Sequence, residues 1–158
     1  MPTLNVLFGS ESGNSEKLAQ SIERTAKEIV KQAGEAHKFD VAIKNLKDVK
    51  VADLTSMEHA VVVISTWGEG DPPGTCKKFC EDLFADKSTD LSKLNYTVFA
   101  MGDKSYQIFC GCGKQVDESF SRLGAKAFMA RHDSDLDYDA GFEPWEVKMF
   151  TKLAPMLK

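Results

Sequence analysis

The feature that most constrains the fold of this chain is the alternation of short apolar runs with longer amphipathic segments. The apolar runs predict five strands, which are Leu4–Phe8, Phe39–Ile43, Ala60–Thr66, Tyr96–Met101 and Ala127–Arg131. The segments with apolar residues at helical spacing predict four helices and one shorter helical turn, which are Glu16–Ala33, Thr75–Ala85, Lys114–Leu123, Gly141–Leu157 and Val51–Ser56. Strands that alternate with helices form βαβ units, and these units build a parallel sheet.

The size of the chain and the composition of its third strand reduce the number of folds that are possible. With 158 residues, the chain is long enough for a full core, and residues 1–158 are predicted to form a single domain. The run AVVVIST at 60–66 is apolar almost throughout, which is typical of a central strand buried on both faces. We therefore predict an α/β fold, a doubly wound five-stranded parallel sheet of order 2-1-3-4-5 with helices on both faces. In such sheets a ligand binds beyond the carboxyl ends of the strands.

The loop after the first strand has the composition of a phosphate site. After Gly9 it continues with Ser10, Glu11, Ser12, Gly13, Asn14 and Ser15, and a helix is predicted to begin at Glu16. Backbone N–H groups, hydroxyls and the positive end of a helix together bind an anion. The loop has no Lys and no GxGxxG pattern, which disfavours a triphosphate or a dinucleotide. A small monophosphate such as that of FMN fits this loop, and the alternative is a plain turn that caps the helix.

Two further loops at the same edge of the predicted sheet each carry an aromatic residue among small and polar ones. The loop after the third strand contains Ser65, Thr66, Trp67, Gly68, Glu69 and Gly70, and the loop after the fourth contains Met101, Gly102, Asp103, Ser105, Tyr106, Phe109 and Cys110. Two aromatic rings from neighbouring strand ends can enclose a planar heterocycle. The alternative for Trp67 is an incidental residue in a Gly- and Pro-rich turn. Phe109 is predicted to pack under its loop, and Cys110 is either a small apolar filler or a group at the edge of a bound ring.

The segment after the fifth strand is acidic. Six carboxylates lie between positions 133 and 146 with no Lys or Arg among them, and they are Asp133, Asp135, Asp137, Asp139, Glu143 and Glu146. One interpretation is a solvated turn before the last helix. The other is a negative rim that steers a basic partner protein, and the two interpretations are compatible.

Composition excludes several classes of function. A net charge of −4 disfavours binding to nucleic acid. The chain has no apolar run long enough to span a bilayer and no signal peptide at its start, so a cytoplasmic protein is predicted. The four cysteines, Cys76, Cys80, Cys110 and Cys112, match no common zinc spacing. They are predicted to be reduced thiols, and no metal site is predicted.

At these residues the chain resembles the flavodoxin superfamily, and it looks most like the FMN-binding domain of diflavin reductases such as sulfite reductase flavoprotein and cytochrome P450 reductase. The matching stretches are GSESGNSEKLA, STWGEGDPPG, AMGDKSYQIFCGCGKQVDESFSRLGA and DSDLDY. The resemblance implies FMN, with its phosphate at residues 10–15 and its ring between residues 65–68 and residues 101–110. Trp67 and Tyr106 would stack on opposite faces of the ring, and Ser134 or Asp135 would lie near the ribityl chain or the ring edge.

The resemblance implies a function in electron transfer. We expect a monomeric one-electron carrier, a flavodoxin that passes electrons from an FAD-containing reductase to an acceptor protein and has oxidoreductase activity only with such partners. The alternative is the FMN module of a diflavin reductase, either excised or acting with a separate FAD subunit. The start at Met1 and the helix that ends near Lys158 favour a complete domain. A receiver-type signalling domain would need an acidic residue at the end of the first strand, where the sequence has Phe8, Gly9 and Ser10.

Overall fold

A computed structural model describes residues 2–9, 13–34, 38–66, 72–102, 110–135 and 138–157 of the chain. Its strands are β1 (Thr3–Gly9), β2 (Asp40–Asn45), β3 (His59–Ser65), β4 (Asn95–Met101), β5 (Lys126–Ala127) and β6 (His132–Ser134). Its α-helices are α1 (Asn14–Ala33), α2 (Lys77–Ala85), α3 (Gly111–Arg122) and α4 (Tyr138–Leu153). Short 3-10 turns cover Leu46–Asp48, Val51–Ser56, Gly74–Cys76 and Ala154–Leu157.

The strands form one parallel sheet in the predicted order. Along the sheet the order is β2-β1-β3-β4-β5, and β6 also pairs with β4. All the pairings are parallel. The doubly wound topology predicted from the alternation of strands and helices is therefore confirmed, and the carboxyl ends of the strands meet at one edge of the sheet.

The sheet carries a hydrophobic core on each face. In β3, Val62 and Ile64 belong to the core that includes side chains of α2 and α3, while Val61 and Val63 belong to the core that includes side chains of α1 and α4. Successive side chains of a strand point to opposite faces. The apolar run at 60–66 is thus continuous because both of its faces are covered by helices, as predicted.

The prediction of an unbroken fifth strand at Ala127–Arg131 was wrong. The structure has two short pieces instead, because residues 128–131 leave the ladder between β5 and β6. These four residues lie opposite only two residues of β4, Thr97 and Val98. The hydroxyl of Thr97 donates a hydrogen bond to the carbonyl of Met129 (3.0 Å) and so replaces part of the missing ladder. The apolar side chains of Phe128 and Met129, which suggested a strand, pack against the core from this bulge.

Three helices begin earlier than predicted. Helix α1 begins at Asn14 and not at Glu16, α4 begins at Tyr138 and not at Gly141, and α3 begins at Gly111 and not at Lys114. The start of α3 was missed because its first residues are small and look like a loop. A Cβ added to Gly113 would lie 2.3 Å from the Cβ of Ala100. The glycine therefore allows α3 to pack directly on β4 at the carboxyl edge of the sheet.

Candidate functional site

The carboxyl ends of the central and outer strands lie side by side and are tied together by backbone hydrogen bonds. Ser65 is paired with Met101, and Met101 with Ser134. One residue further on, the N–H of Thr66 donates to the carbonyl of Met101 (2.8 Å), and the N–H of Gly102 donates to the carbonyl of Ser134 (2.8 Å). The strand ends that the sequence predicted to line one site therefore do lie together in the fold.

The end of β1 is held tightly against its neighbours. The hydroxyl of Ser65 donates to the carbonyl of Gly9 (3.4 Å). A Cβ added to Gly9 would lie 2.6 Å from Sγ of Cys76. A side chain at this position would have to displace the buried thiol of Cys76, so glycine lets the end of β1 lie close to its neighbours.

The first turn of α1 lies where the sequence predicted the phosphate site. Gly13 precedes the helix with φ 86°, and among the described residues no side chain caps this helix end. The side chain of Ser15 is fully buried, and its Oγ has no hydrogen-bond partner among the described residues. A buried hydroxyl without a partner is costly, and the uncapped N–H groups of a helix start attract negative charge. This arrangement fits a phosphate group better than it fits a plain capping turn.

Thr66 has a structural role that the sequence did not predict. Its hydroxyl accepts a hydrogen bond from the N–H of Cys112 (3.1 Å), which lies in the first turn of α3. The residue before α3, Cys110, provides no side-chain cap itself. Thr66 therefore caps a helix that begins about 45 residues later in the chain, and no local sequence pattern could have shown this contact.

Cys110 lies buried behind the candidate site. It has φ 53°, in the left-handed region. Its thiol donates to the carbonyl of Ser134 (3.5 Å) and lies 3.7 Å from the carbonyl of Ala100. Burial, followed by the nearby charge of Asp133, raises the pKa of the Cys110 thiol to about 12. The thiol therefore stays protonated and acts as a donor, which fits the first of the two interpretations, a small buried filler.

The structure describes only some of the remaining predicted site residues. Met101 is buried in the core that α1 and α4 cover, and Asp135 follows β6 at a partly exposed position. Asn14 is partly buried at the start of α1. The other predicted site residues lie outside the described residues, and they are Ser10, Glu11, Ser12, Trp67, Gly68, Glu69, Gly70, Asp103, Ser105, Tyr106 and Phe109.

The acidic segment is less uniform than the sequence suggested. Asp133 is paired with Arg131, with 2.7 Å between its Oδ1 and Nε of the arginine. Glu146 belongs to α4 and faces α1, where it accepts hydrogen bonds from the hydroxyls of Ser21 (3.2 Å) and Thr25 (2.9 Å). Burial raises the pKa of Glu146 above its ordinary value. Asp135 is partly exposed and Glu143 is exposed, and both are candidates for the rim.

The cysteines form a buried group beside the site. All four are free thiols in the structure. The thiol of Cys80 is hydrogen-bonded to those of Cys112 and Cys76, and the bond with Cys112 is the main reason that the pKa of Cys80 is raised. Within the described ranges, no group of three His, Cys, Asp or Glu side chains is arranged to hold a metal ion. A search of the same residues finds no helix that is both long and apolar enough to cross a membrane.

Comparison with known proteins gives a consistent result. The sequence profile of the family described as flavodoxin matches residues 6–145. The sulfite reductase (NADPH) flavoprotein alpha-component of Vibrio parahaemolyticus is 35% identical over 154 residues, which are 98% of this chain and 23% of that protein. The Bacillus subtilis protein of the same name is 36% identical over 142 residues, which are 90% of this chain and 22% of that protein. The chain thus spans about a quarter of the length of these relatives.

Solved structures agree in fold. A short-chain flavodoxin associated with a PDU bacterial microcompartment superposes with a TM-score of 0.79 and 26% identity, and the match covers all of both chains. A point mutant of flavodoxin from Pseudomonas aeruginosa superposes with a TM-score of 0.74 at 23% identity, over 96% of this chain and 98% of that one. The second likeness concerns the fold alone.

Proposed function

Because this chain belongs to the flavodoxin family, we propose that it binds one FMN at the carboxyl edge of its sheet and carries single electrons between two redox proteins. The observation that carries the proposal is the buried hydroxyl of Ser15 in the first turn of α1, which has no hydrogen-bond partner among the described residues. An oxygen atom of a phosphate would accept a hydrogen bond from this hydroxyl, and the N–H groups of the helix start would bind the same anion. The phosphate loop is completed by Ser10, Glu11, Ser12, Gly13 and Asn14.

The flavin ring is proposed to lie over the ends of β3 and β4. Trp67 and Tyr106 would stack on its two faces, with the neighbouring positions, Gly68, Glu69, Gly70, Asp103, Ser105 and Phe109, around it. Supporting this placement, Ser65 and Met101 are paired neighbours, so the two loops start side by side. FMN supplies the redox chemistry when bound, and the chain binds it, orients it and excludes water from it.

The redox partners are proposed to dock beside this edge. Asp135 and Glu143 are acids on the side of the site formed by β6 and α4, and Asp137 and Asp139 lie between them in sequence. An acidic rim would steer a basic surface of an FAD-containing reductase or of an acceptor. We further propose that the protein works in the cytoplasm as a monomer and that residues 1–158 form one domain.

A second candidate function is that of an FMN module within a larger reductase. It is favoured by the identity of 35% with the sulfite reductase flavoprotein alpha-component over 98% of this chain. In that case the electrons would come from an FAD-containing portion or subunit and would not arrive by diffusion of a separate carrier. An assay with a separately supplied FAD-containing reductase distinguishes the two functions. Electron transfer to sulfite reductase alone favours the module, and electron transfer to other acceptors as well favours a general carrier.

Titration of the apoprotein with three flavins tests the proposed function. FMN should bind most tightly, because it alone presents a terminal monophosphate to the first turn of α1. Riboflavin lacks the phosphate, and FAD presents a diphosphate that the loop has no cation to neutralise. Equal affinity for FMN and riboflavin, measured by quenching of flavin fluorescence, would refute the phosphate site.

A further inference from the structure

The break in the fifth strand leaves β6 as a short piece with three ladder pairs to β4. β5 pairs with Asn95 and Tyr96, and β6 pairs with residues 99–101 of β4. Between them, residues 128–131 make no ladder pairs with β4. Side-chain contacts next to the bulge add to the three pairs that β6 makes with β4.

Arg131 supplies these contacts immediately before β6. Its Nε donates to Oδ1 of Asp133 in β6 (2.7 Å), and its second terminal nitrogen lies 3.3 Å from Oδ2 of the same residue. Its first terminal nitrogen donates to Oδ2 of Asp117 in α3 (2.8 Å). The exposed fractions of Arg131, Asp117 and Asp133 are 20%, 24% and 32%. The solvent therefore screens these pairs less than it screens ordinary surface pairs.

Asp117 extends this connection to the centre of the sheet. Its Oδ1 accepts a hydrogen bond from the hydroxyl of Tyr96 in β4 (2.5 Å). Tyr96 is almost fully buried. Burial first, and then the carboxylate of Asp117, raise the pKa of Tyr96, so its hydroxyl remains a donor. The guanidinium of Arg131 thereby joins β6, α3 and β4.

The residue after Asp133 holds both ends of the segment between β4 and α3. The carbonyl oxygen of Ser134 accepts the N–H of Gly102 (2.8 Å) and the thiol of Cys110 (3.5 Å). A Cβ added to Gly102 would lie 2.8 Å from the backbone nitrogen of Cys110. We call this arrangement of Gly102, Cys110 and the Ser134 carbonyl the neck. Residues 103–109, in which Tyr106 is proposed to stack on the flavin, begin and end at it.

From this series of contacts we infer that Arg131 is a positioning residue for FMN. By adding to the contacts that hold β6, it keeps the Ser134 carbonyl where Gly102 and Cys110 can both donate to it, and the residues on either side of 103–109 therefore stay close together. The inference rests on the proposed function, since it concerns the same cofactor. Arg131 acts through Asp133 and Ser134. Its replacement should therefore loosen the contacts of the neck and leave the rest of the fold unchanged.

The test replaces Arg131 with Lys and compares it with a matched control. Lys keeps the positive charge, but its single ammonium group does not form the planar fork that binds two carboxylates at once. The control is Arg122→Lys in the same helix as Asp117, because the guanidinium of Arg122 donates to the carbonyls of Leu83, Phe84 and Asp86 at the end of α2. Should Arg131→Lys fail to fold, Asp117→Asn keeps an acceptor for Tyr96 and removes the charge that Arg131 binds.

Two measurements are made on each variant. In the apoprotein, the rate of alkylation of Cys110 by iodoacetamide is mapped by mass spectrometry, with Cys76 and Cys80 as internal references. In the presence of flavin, the Kd for FMN is measured. For Arg131→Lys we expect about tenfold faster alkylation of Cys110 alone and an FMN Kd raised about tenfold. For Arg122→Lys both values should stay within about twofold of the wild type.

The outcomes separate this inference from the proposed function. If the wild-type protein binds no FMN, the proposed function fails, and the inference fails with it. If the wild type binds FMN and Arg131→Lys binds it equally well, the inference alone is overturned. Equal acceleration of alkylation at Cys76, Cys80 and Cys110 would also overturn it, because Arg131 would then support the whole fold and not the neck.

Discussion

Replacing Ser15 with Ala is expected to stabilise the apoprotein. The side chain is 0% exposed, and among the described residues its Oγ has no hydrogen-bond partner. A buried hydroxyl without a partner costs about 1–3 kcal/mol. Ala also has a higher helix propensity than Ser by about 0.5 kcal/mol. After allowance for the small space left by the oxygen, the free energy of unfolding of the apoprotein should rise by about 1 kcal/mol.

The same substitution is expected to weaken the binding of FMN. When a phosphate is bound, the hydroxyl of Ser15 should donate to one of its oxygens. A hydrogen bond to a charged group contributes about 1.5–3 kcal/mol, and 1.4 kcal/mol corresponds to a tenfold change in Kd. The Kd for FMN should therefore rise about 10- to 100-fold. The Kd for riboflavin should not change, because riboflavin has no phosphate.

Urea denaturation of the apoproteins and flavin fluorescence titrations measure the two effects. Ser21→Ala is the matched control, since Ser21 lies in the same helix and its hydroxyl has a partner in Glu146. The control should lose stability and keep the affinity for FMN. If Ser15→Ala instead destabilises the apoprotein and binds FMN like the wild type, the hydroxyl is not an unpaired donor that awaits a phosphate, and the reasoning is refuted.

Three further predictions concern burial and packing. Glu146→Gln should raise stability near neutral pH, because burial raises the pKa of Glu146 and stability consequently falls as pH rises above the ordinary glutamate value of 4.5; urea denaturation across this range measures it. Gly113→Ala should lower the free energy of unfolding by about 1–3 kcal/mol through overpacking against Ala100, which the same assay detects. Burial lowers the pKa of His59, so its protonation should cost stability as pH falls below the ordinary value of 6.5, and NMR titration of its ring protons should show the lowered pKa.

Each of these three predictions has a result that contradicts it. A pH-dependence of stability that is the same in Glu146→Gln and in the wild type would mean that this carboxyl is solvated. Full stability of Gly113→Ala would mean that α3 can move away from β4 at no cost. A ring of His59 that titrates at or above 6.5 would mean that water reaches it.

The order of the strands, and with it the edge at which their carboxyl ends meet, could be predicted from the sequence, because both depend on periodic patterns. The apolar run at 60–66 and the amphipathic segment at 16–33 are long enough to define their elements. The start of α3 could not be predicted in this way, because Gly111, Cys112 and Gly113 have the composition of a loop. Their helical conformation depends on packing against Ala100, which lies in another element.

The contacts that support the site were beyond sequence analysis for a related reason. The capping hydroxyl of Thr66 and the N–H of Cys112 are far apart in the chain, and the ion pair of Arg131 with Asp117 joins residues of different elements. The sequence singled out Thr66 but not its partner, and it singled out neither residue of the ion pair. The apolar residues at 127–130 favoured a strand because of their β-propensity. A bulge cannot be predicted from this propensity, since it depends on pairing with the neighbouring strand.

The broken fifth strand also bears on how this sheet meets other chains. An outer strand presents unpaired backbone groups that can pair with a strand of another molecule and begin aggregation. On this side the outer strand is divided into a piece of two residues and a piece of three, so an incoming strand would find no long straight ladder to extend. The opposite edge, β2, runs without a break over six residues. Strand addition between two molecules should therefore occur at β2 if it occurs at all. The charged, exposed side chains of Asp40 and Lys44 on this strand oppose such pairing.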